Sequence, residues 1–224
     1  MKISAKERLL GWGLATYAQL AWRTARYRAE GLQNLEKAEA TGRPFIIAAW
    51  HGMTMLMTGY MYTVRGVDPE QFRMVVPDDE RGVILNEWAR RMGARTFTIS
   101  MAEESMVAAR RLLELIRQLR EGKRLFLNPD GPDGPSHQPK SGVVFIARKA
   151  EALIVPAAAC ASPAYHIPRW DRYTVPFPFS RATVFFGEPM EVGRETELED
   201  ARLRLRELLN QAEQQVEALH RQRR

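Results

Sequence analysis

Short apolar runs of strand length alternate with stretches long enough for a helix, and this alternation constrains the fold of the 224-residue chain more than any other feature. The strands are predicted at residues 45–50, 72–76, 94–99, 124–127, 152–161 and 182–186, with a short edge strand at 27–31. Helices are predicted at 32–40, 53–64, 82–92, 141–150 and 195–224, and from Ser100 to a stop at Gly122. Strands joined through helices pair in parallel. The expected fold is therefore α/β: a single domain with a mostly parallel central sheet flanked by helices. Residues 162–180, rich in aromatics and prolines, read as a loop between the last two strands.

Hydrophobic residues at 45% and charged residues at 27% fit a folded globular chain long enough to bury a substantial core. A net charge of +6 favours a negatively charged partner: nucleic acid, an anionic membrane or a phosphorylated substrate. Cys160 is the sole cysteine, which excludes an intramolecular disulfide framework and a cysteine-rich metal cage and suits a reducing cytoplasmic setting. It lies in an apolar run, as an inert core thiol would.

The N-terminal segment, residues 1–26, reads as an amphipathic helix ahead of a domain at 27–224. Lys2, Lys6 and Arg8 precede its apolar run, and Arg23, Arg26 and Arg28 follow it. The run at 9–22 is shorter than the ~20 residues of a spanning helix, and no small-residue cleavage site follows it. Trp12, Tyr17 and Trp22 with basic flanks fit a helix lying in a membrane interface. The alternative is a helix docked on the protein's own core. The C-terminal helix is highly charged, with leucines at 198, 203, 205, 208 and 209.

Three predicted strands end in unusual residues: Trp50-His51-Gly52, Pro77-Asp78-Asp79 and Asn128-Pro129-Asp130-Gly131. Parallel neighbours would bring these ends to one rim, where open α/β sheets place their ligands. A histidine there with a carboxylate in reach is the minimum for general-base work on a hydroxyl. Lys140, ahead of Ser141-Gly142 and a helix N-terminus, suggests an anion site, against an ordinary serine cap with an exposed lysine. His137 reads as a ligand, a second base or a solvated loop residue. Met53, Met55, Met57 and Met61 with Tyr60 and Tyr62 read either as the lining of an alkyl-chain tunnel or as core.

The stretches RYRAEGLQNL, GRPFIIAAWHG, LNPDGPDGPSHQPKSGVVFIARKAEALIVPAA, WDRYTVPFPFS and FGEP together resemble the lysophospholipid acyltransferase superfamily. Within that glycerol-phosphate acyltransferase-like group, the match is to a bacterial branch known as a domain of unknown function. The resemblance spans about residues 27–190. It implies that His51 is the base that activates an acceptor hydroxyl for attack on the thioester of acyl-CoA or acyl-carrier protein. Asn128-Pro129-Asp130-Gly131 stands where the superfamily has a Phe-Pro-Glu-Gly block that binds the acceptor phosphate region. Lys140-Ser141-Gly142 matches the basic-Gly element after it, and Ile154-Val155-Pro156 a later proline strand. Where the superfamily carries an Asp or Glu five residues after the histidine, this chain has Leu56. The branch has a WHG in place of the full motif, so another carboxylate is expected to substitute: Asp130, then Asp79, then Asp78.

The expected protein is an acyltransferase of lipid metabolism, peripheral at the cytoplasmic face of a bacterial membrane. His51 and Asp130 are its expected catalytic residues. Gly52, Thr54, Asp78, Asp79, Arg81, Gly131, Pro132 and Lys140 are the expected substrate-binding residues. The acyl thioester is a substrate, so no bound cofactor or metal is called for; the partners are the thioester donor, a lipid acceptor and an anionic membrane surface, with no nucleic acid. Two other classes remain open: a non-catalytic lipid-binding module, supported by Leu56, and a metal-dependent hydrolase using His51, Asp78, Asp79, Asp130 and His137. A carboxylate within about 2.6–3.2 Å of the His51 ring restores the catalytic pair by another route, and a ring walled by apolar side chains favours the binding module.

Overall fold

Ile46, Ile47 and Ala48 have no solvent exposure, which places strand β2 (Phe45–Ala48) at the centre of the sheet with both faces covered. Such two-sided burial is what parallel strands require and what a continuous apolar run supplies. The fold is a computed structural model that describes residues 5–77, 80–91, 95–99 and 106–223. Around β2 lie β1 (Arg26–Glu30), β3 (Phe72–Pro77), β4 (Arg95–Ile99), β5 (Arg124–Leu127), β6 (Leu153–His166) and β7 (Thr174–Phe186). They form one seven-stranded sheet in the order β1-β7-β6-β2-β5-β3-β4. Every neighbouring pair is parallel except β6 and β7. The expected α/β architecture is the one observed.

Among the described residues, seven α-helices surround this sheet: α1 (Ala5–Thr24), α2 (Leu32–Ala40), α3 (Thr54–Thr63), α4 (Glu80–Arg91), α5 (Met106–Arg120), α6 (Gly142–Ala150) and α7 (Leu198–Arg221). Side chains alternate along a strand, so β7 shows which helices cover which face. Thr183 meets His220 of α7, whereas Phe186 meets Tyr60 of α3, three positions on and hence on the other side. The charged α7 docks through a narrow stripe of Ala201, Leu205, Leu209, Ala212 and Val216, all buried. His220 extends that stripe, with its two ring nitrogens on the hydroxyls of Ser162 and Thr183. Cys160 faces the same helix, and burial pushes its thiol up to about 12, so it stays protonated at neutral pH.

Met57 and Met61 of α3, and Met53 just before it, are buried in the hydrophobic core with Tyr60, and Met55 is half-buried. Helix α1 packs against α3, α4 and β7 with an inverted face. Gly11, Ala15, Ala18 and Trp22 point inward, while Leu9, Leu10, Trp12, Leu14 and Leu20 are each about half exposed or more. The helix thus docks on the core through Trp22 and small residues, and its leucines and Trp12 face outward.

One expectation needs correction. Residues 162–180 are mainly not a loop: β6 continues to His166, β7 resumes at Thr174, and the two pair antiparallel, with Ala164 opposite Pro176 and His166 opposite Thr174. Pro163, Pro176 and Pro178 suggest a broken strand, but they sit at or beside a register shift, where prolines fit because no ladder N–H is needed. Only the seven residues 167–173 turn the chain back.

Leu56, at the position of the superfamily's carboxylate, is wholly buried in α3. A charge there would have no access to water. The substitution Leu56→Asp is expected to destabilise the fold by about 3 kcal/mol or more, measured by urea denaturation.

Candidate active site

Parallel pairing puts the carboxyl ends of β2 and β5 side by side, with Ala48 opposite Leu127. His51 follows β2 in a one-turn 3-10 helix, and Asn128 to Gly131 follow β5. The side chains between them tie the two ends together. Asn128 Nδ2 donates to the Ala49 carbonyl at 2.9 Å. Thr54 Oγ1 lies 2.7 Å from the His51 carbonyl oxygen and 3.0 Å from Asn128 Oδ1.

The carboxylate that meets the His51 ring is Asp171. Its Oδ2 lies 2.6 Å from His51 Nδ1, and its side chain has 0% exposure. A carboxylate only accepts, so Nδ1 carries the proton and the Nε2 lone pair is left to act as a base. Arg169 clamps the same carboxylate with two bonds, Nε to Oδ1 at 2.6 Å and a terminal nitrogen to Oδ2 at 2.7 Å. Burial by itself would raise the Asp171 pKa, but the bonds and charges of Arg169 and His51 outweigh it, and the group lies below the usual carboxylate range. Aromatic rings enclose the pair: Trp170 and Tyr173 lie 5.4 and 5.7 Å from the imidazole, and the Arg169 guanidinium sits 5.4 Å from the Tyr173 ring centre. Burial pushes the Tyr173 hydroxyl up to about 12.

Two glycines make this closeness feasible. A Cβ on Gly52 would lie 2.3 Å from the Asp171 carbonyl oxygen, and one on Gly131 would lie 2.8 Å from the His51 ring. The first glycine lets the β6–β7 turn press onto the start of the histidine segment, and the second lets the imidazole lie on the β5 loop.

Asp130 has a different place from the one expected. Its carboxylate accepts from the backbone N–H of His51 at 2.9 Å and of His137 at 3.3 Å, and does not pair with the imidazole. It is 1% exposed, and burial lifts its pKa above the usual range against those two bonds. Its short side chain, one residue past Pro129, reaches the backbone of the neighbouring strand end, whereas the ring points toward the β6–β7 turn. Asp78 and Asp79 lie outside the described residues, and only the backbone of Arg81, in α4, is described. Gly131 and Pro132 continue the β5 loop, both half-buried. Lys140 closes that loop with its backbone N–H on the Pro129 carbonyl at 2.8 Å, and its ammonium makes no ion pair among the described residues. Ser141 makes no side-chain capping bond, contrary to the serine-cap expectation.

His137 is not simply solvated. Its Nε2 lies 2.7 Å from Glu213 of α7, its Nδ1 lies 2.9 Å from Ser136 Oγ, and its ring stands edge-on to Trp50. Among the described residues, no three His, Cys, Asp or Glu side chains converge as a metal-ligand group. The residue that the sequence reading missed is Asp171. The signal was its setting: a lone carboxylate flanked by Arg169, Trp170 and Tyr173, inside one of the stretches that carry the family resemblance.

A mostly parallel α/β sheet with a histidine–carboxylate pair at its carboxyl rim is an arrangement suited to proton transfer from a hydroxyl. The fold is that of a solved acyltransferase structure. The chain superposes on the 1-acyl-sn-glycerophosphate acyltransferase PlsC from Thermotoga maritima over 98% of its own length and 84% of that chain, with a TM-score of 0.58 and 20% sequence identity. Among curated proteins, the uncharacterized protein RP090 of Rickettsia prowazekii is 27% identical over 183 residues, 81% of this chain and 78% of that one. No family model matches the sequence.

The His137–Glu213 contact makes a pH-dependent prediction. The Glu213 bond, opposed by burial, raises the His137 pKa above its ordinary 6.5. A raised folded-state value stabilises the protein fully below the ordinary pKa, and the contribution fades as pH rises through the folded one. Glu213→Gln is therefore expected to destabilise the protein measurably at about pH 5.5 and much less at about pH 9, read from urea melts at the two values.

Proposed function

We propose that this chain moves a fatty acyl group from an acyl thioester, carried on CoA or an acyl-carrier protein, to a hydroxyl of a lysophospholipid or another membrane lipid or glycolipid. The observation that carries this reading is the 2.6 Å pairing of His51 Nδ1 with a buried, ionised Asp171 at the sheet rim. The likeness in fold to PlsC supports the reaction class.

The chemistry follows from the protonation states. His51 Nε2 takes the proton of the acceptor hydroxyl as the oxygen bonds to the thioester carbonyl carbon. Asp171 orients the ring and stabilises the imidazolium that forms. When the tetrahedral intermediate collapses, the carbon–sulfur bond breaks and the imidazolium returns its proton to the departing thiolate. Arg169 acts through Asp171, holding its second oxygen and keeping it ionised. The backbone N–H groups of His51 and His137 are committed to Asp130, so oxyanion donors must come from elsewhere on the rim. We assign the anionic head group to Lys140 and the Asn128–Gly131 loop, a reading supported by the backbone bond from Lys140 to Pro129 that closes this loop.

No described helix is long and apolar enough to cross a membrane. The outward leucines of α1 and the net charge of +6 support peripheral attachment to the cytoplasmic face. The rival reading, a lipid-binding module that lacks a catalytic pair, rested on Leu56, and Asp171 supplies the carboxylate that Leu56 does not.

The decisive assay follows labelled acyl groups from thioesters into membrane lipid extracts. His51→Ala is expected to abolish transfer. Asp171→Asn should lower kcat by about 10²–10⁴-fold with little change in KM, because it disturbs the tautomer and not the binding surface. Transfer that survives His51→Ala, or no transfer from any thioester, overturns the proposal.

A further inference from the structure

Four residues of β7 leave the sheet ladder. Pro176 pairs with Ala164 and Arg181 with Ser162, so residues 177–180 of β7 bulge out where β6 has a single intervening residue. Such insertions re-aim side chains. This one carries Phe177 at 44% exposure and Phe179 at 69%, and Phe179 has φ +65°, a conformation that bulky residues rarely adopt. A strained, exposed aromatic contributes nothing to the core that would offset its strain, which directs attention to an external partner.

The bulge is fastened to α1. Tyr17 Oη donates to the Pro176 carbonyl at 2.9 Å, and the Phe179 N–H donates to Thr24 Oγ1 at 3.0 Å. The two bonds, to residues seven apart on α1 and three apart on β7, hold the bulge along the helix. Leu10, Leu14, Tyr17, Ala21 and Thr24 share one stripe of α1 by their spacing, so Leu10 and Leu14, both nearly half exposed, continue the line of contacts along which Phe177 and Phe179 sit. Leu20, 51% exposed, stands one turn before Thr24. The result is a ridge of large apolar side chains drawn from two elements distant in sequence.

Exposed arginines lie at the bulge end of the ridge: Arg23 on α1, Arg26 beyond its end, and Arg181 immediately after the bulge. This pattern favours a lipid surface over a second copy of the chain. A two-fold dimer through this ridge would set the same arginines against themselves. An anionic bilayer accepts the apolar side chains below its head groups and pairs the arginines with phosphates.

We infer that the Phe177–Phe179 part of the bulge is a membrane wedge that inserts beside α1 into an anionic bilayer. The inference rests on the peripheral-membrane part of the proposed function and not on acyl transfer. It also sets the orientation of the site, because the bulged hairpin is the one that delivers Asp171 to His51.

Sedimentation with vesicles of phosphatidylglycerol and phosphatidylcholine tests this without any turnover, so its outcome stands apart from that of the acyl-transfer assay. The whole chain is expected to bind anionic vesicles, and more weakly as salt rises. Phe179→Gly is the informative variant, because glycine tolerates the positive φ. It should bind about tenfold more weakly while its thermal midpoint stays the same or rises. Phe177→Ser should show the same loss of binding. Unchanged vesicle binding in both variants overturns the wedge. So does a concentration-dependent dimer in analytical ultracentrifugation that Phe179→Gly abolishes, since that would make a second copy the occupant.

Discussion

The site depends on how the carboxylate of Asp171 is kept ionised without any exposure to water. A buried charge is costly unless paired and hydrogen-bonded, and here both oxygens are engaged, by the Arg169 fork and by the His51 ring. That requirement shapes everything around it. The β6–β7 turn must lie over the strand ends, Gly52 must lack a side chain where the Asp171 carbonyl passes, and Gly131 must lack one where the ring rests. Trp170 and Tyr173 then close the sides and keep the interaction in a low-dielectric setting, where a charge-assisted bond is stronger.

The other buried carboxylate of the rim, Asp130, is shifted the opposite way. Asp171 lies below its ordinary range because the bonds from Arg169 and His51 and the charge of Arg169 outweigh its burial. Asp130 lies above it because two backbone N–H groups do not. The difference separates two tasks. Asp171 faces a ring nitrogen and sets its tautomer. Asp130 joins the backbones of His51 and His137, so the loops after β2 and β5 form one unit, and the His137–Glu213 contact extends that unit to α7.

One hairpin therefore serves two ends. Its turn completes the histidine–carboxylate pair, and its bulge, fastened to α1, faces outward with two phenylalanines. The same antiparallel excursion from an otherwise parallel sheet makes both possible, because a hairpin can project beyond the rim at which the parallel strands stop.

The order of strands and helices was legible from the sequence because each signal is local. Apolar runs such as 45–48 mark buried strands, and residues such as Gly122 mark helix ends. His51 was legible as well, since an apolar strand that ends in a histidine and a glycine is a local pattern. Its partner was not. Asp171 lies 120 positions away, in a stretch whose prolines suggest a loop, and only the antiparallel β6–β7 pairing carries it back over the rim. The inverted exposure of α1 was equally out of reach. The spacing of its large side chains predicts an amphipathic helix, but which stripe faces inward is decided by what it packs on, and here α3, α4 and β7 admit Trp22 and the alanines and leave the leucines outside.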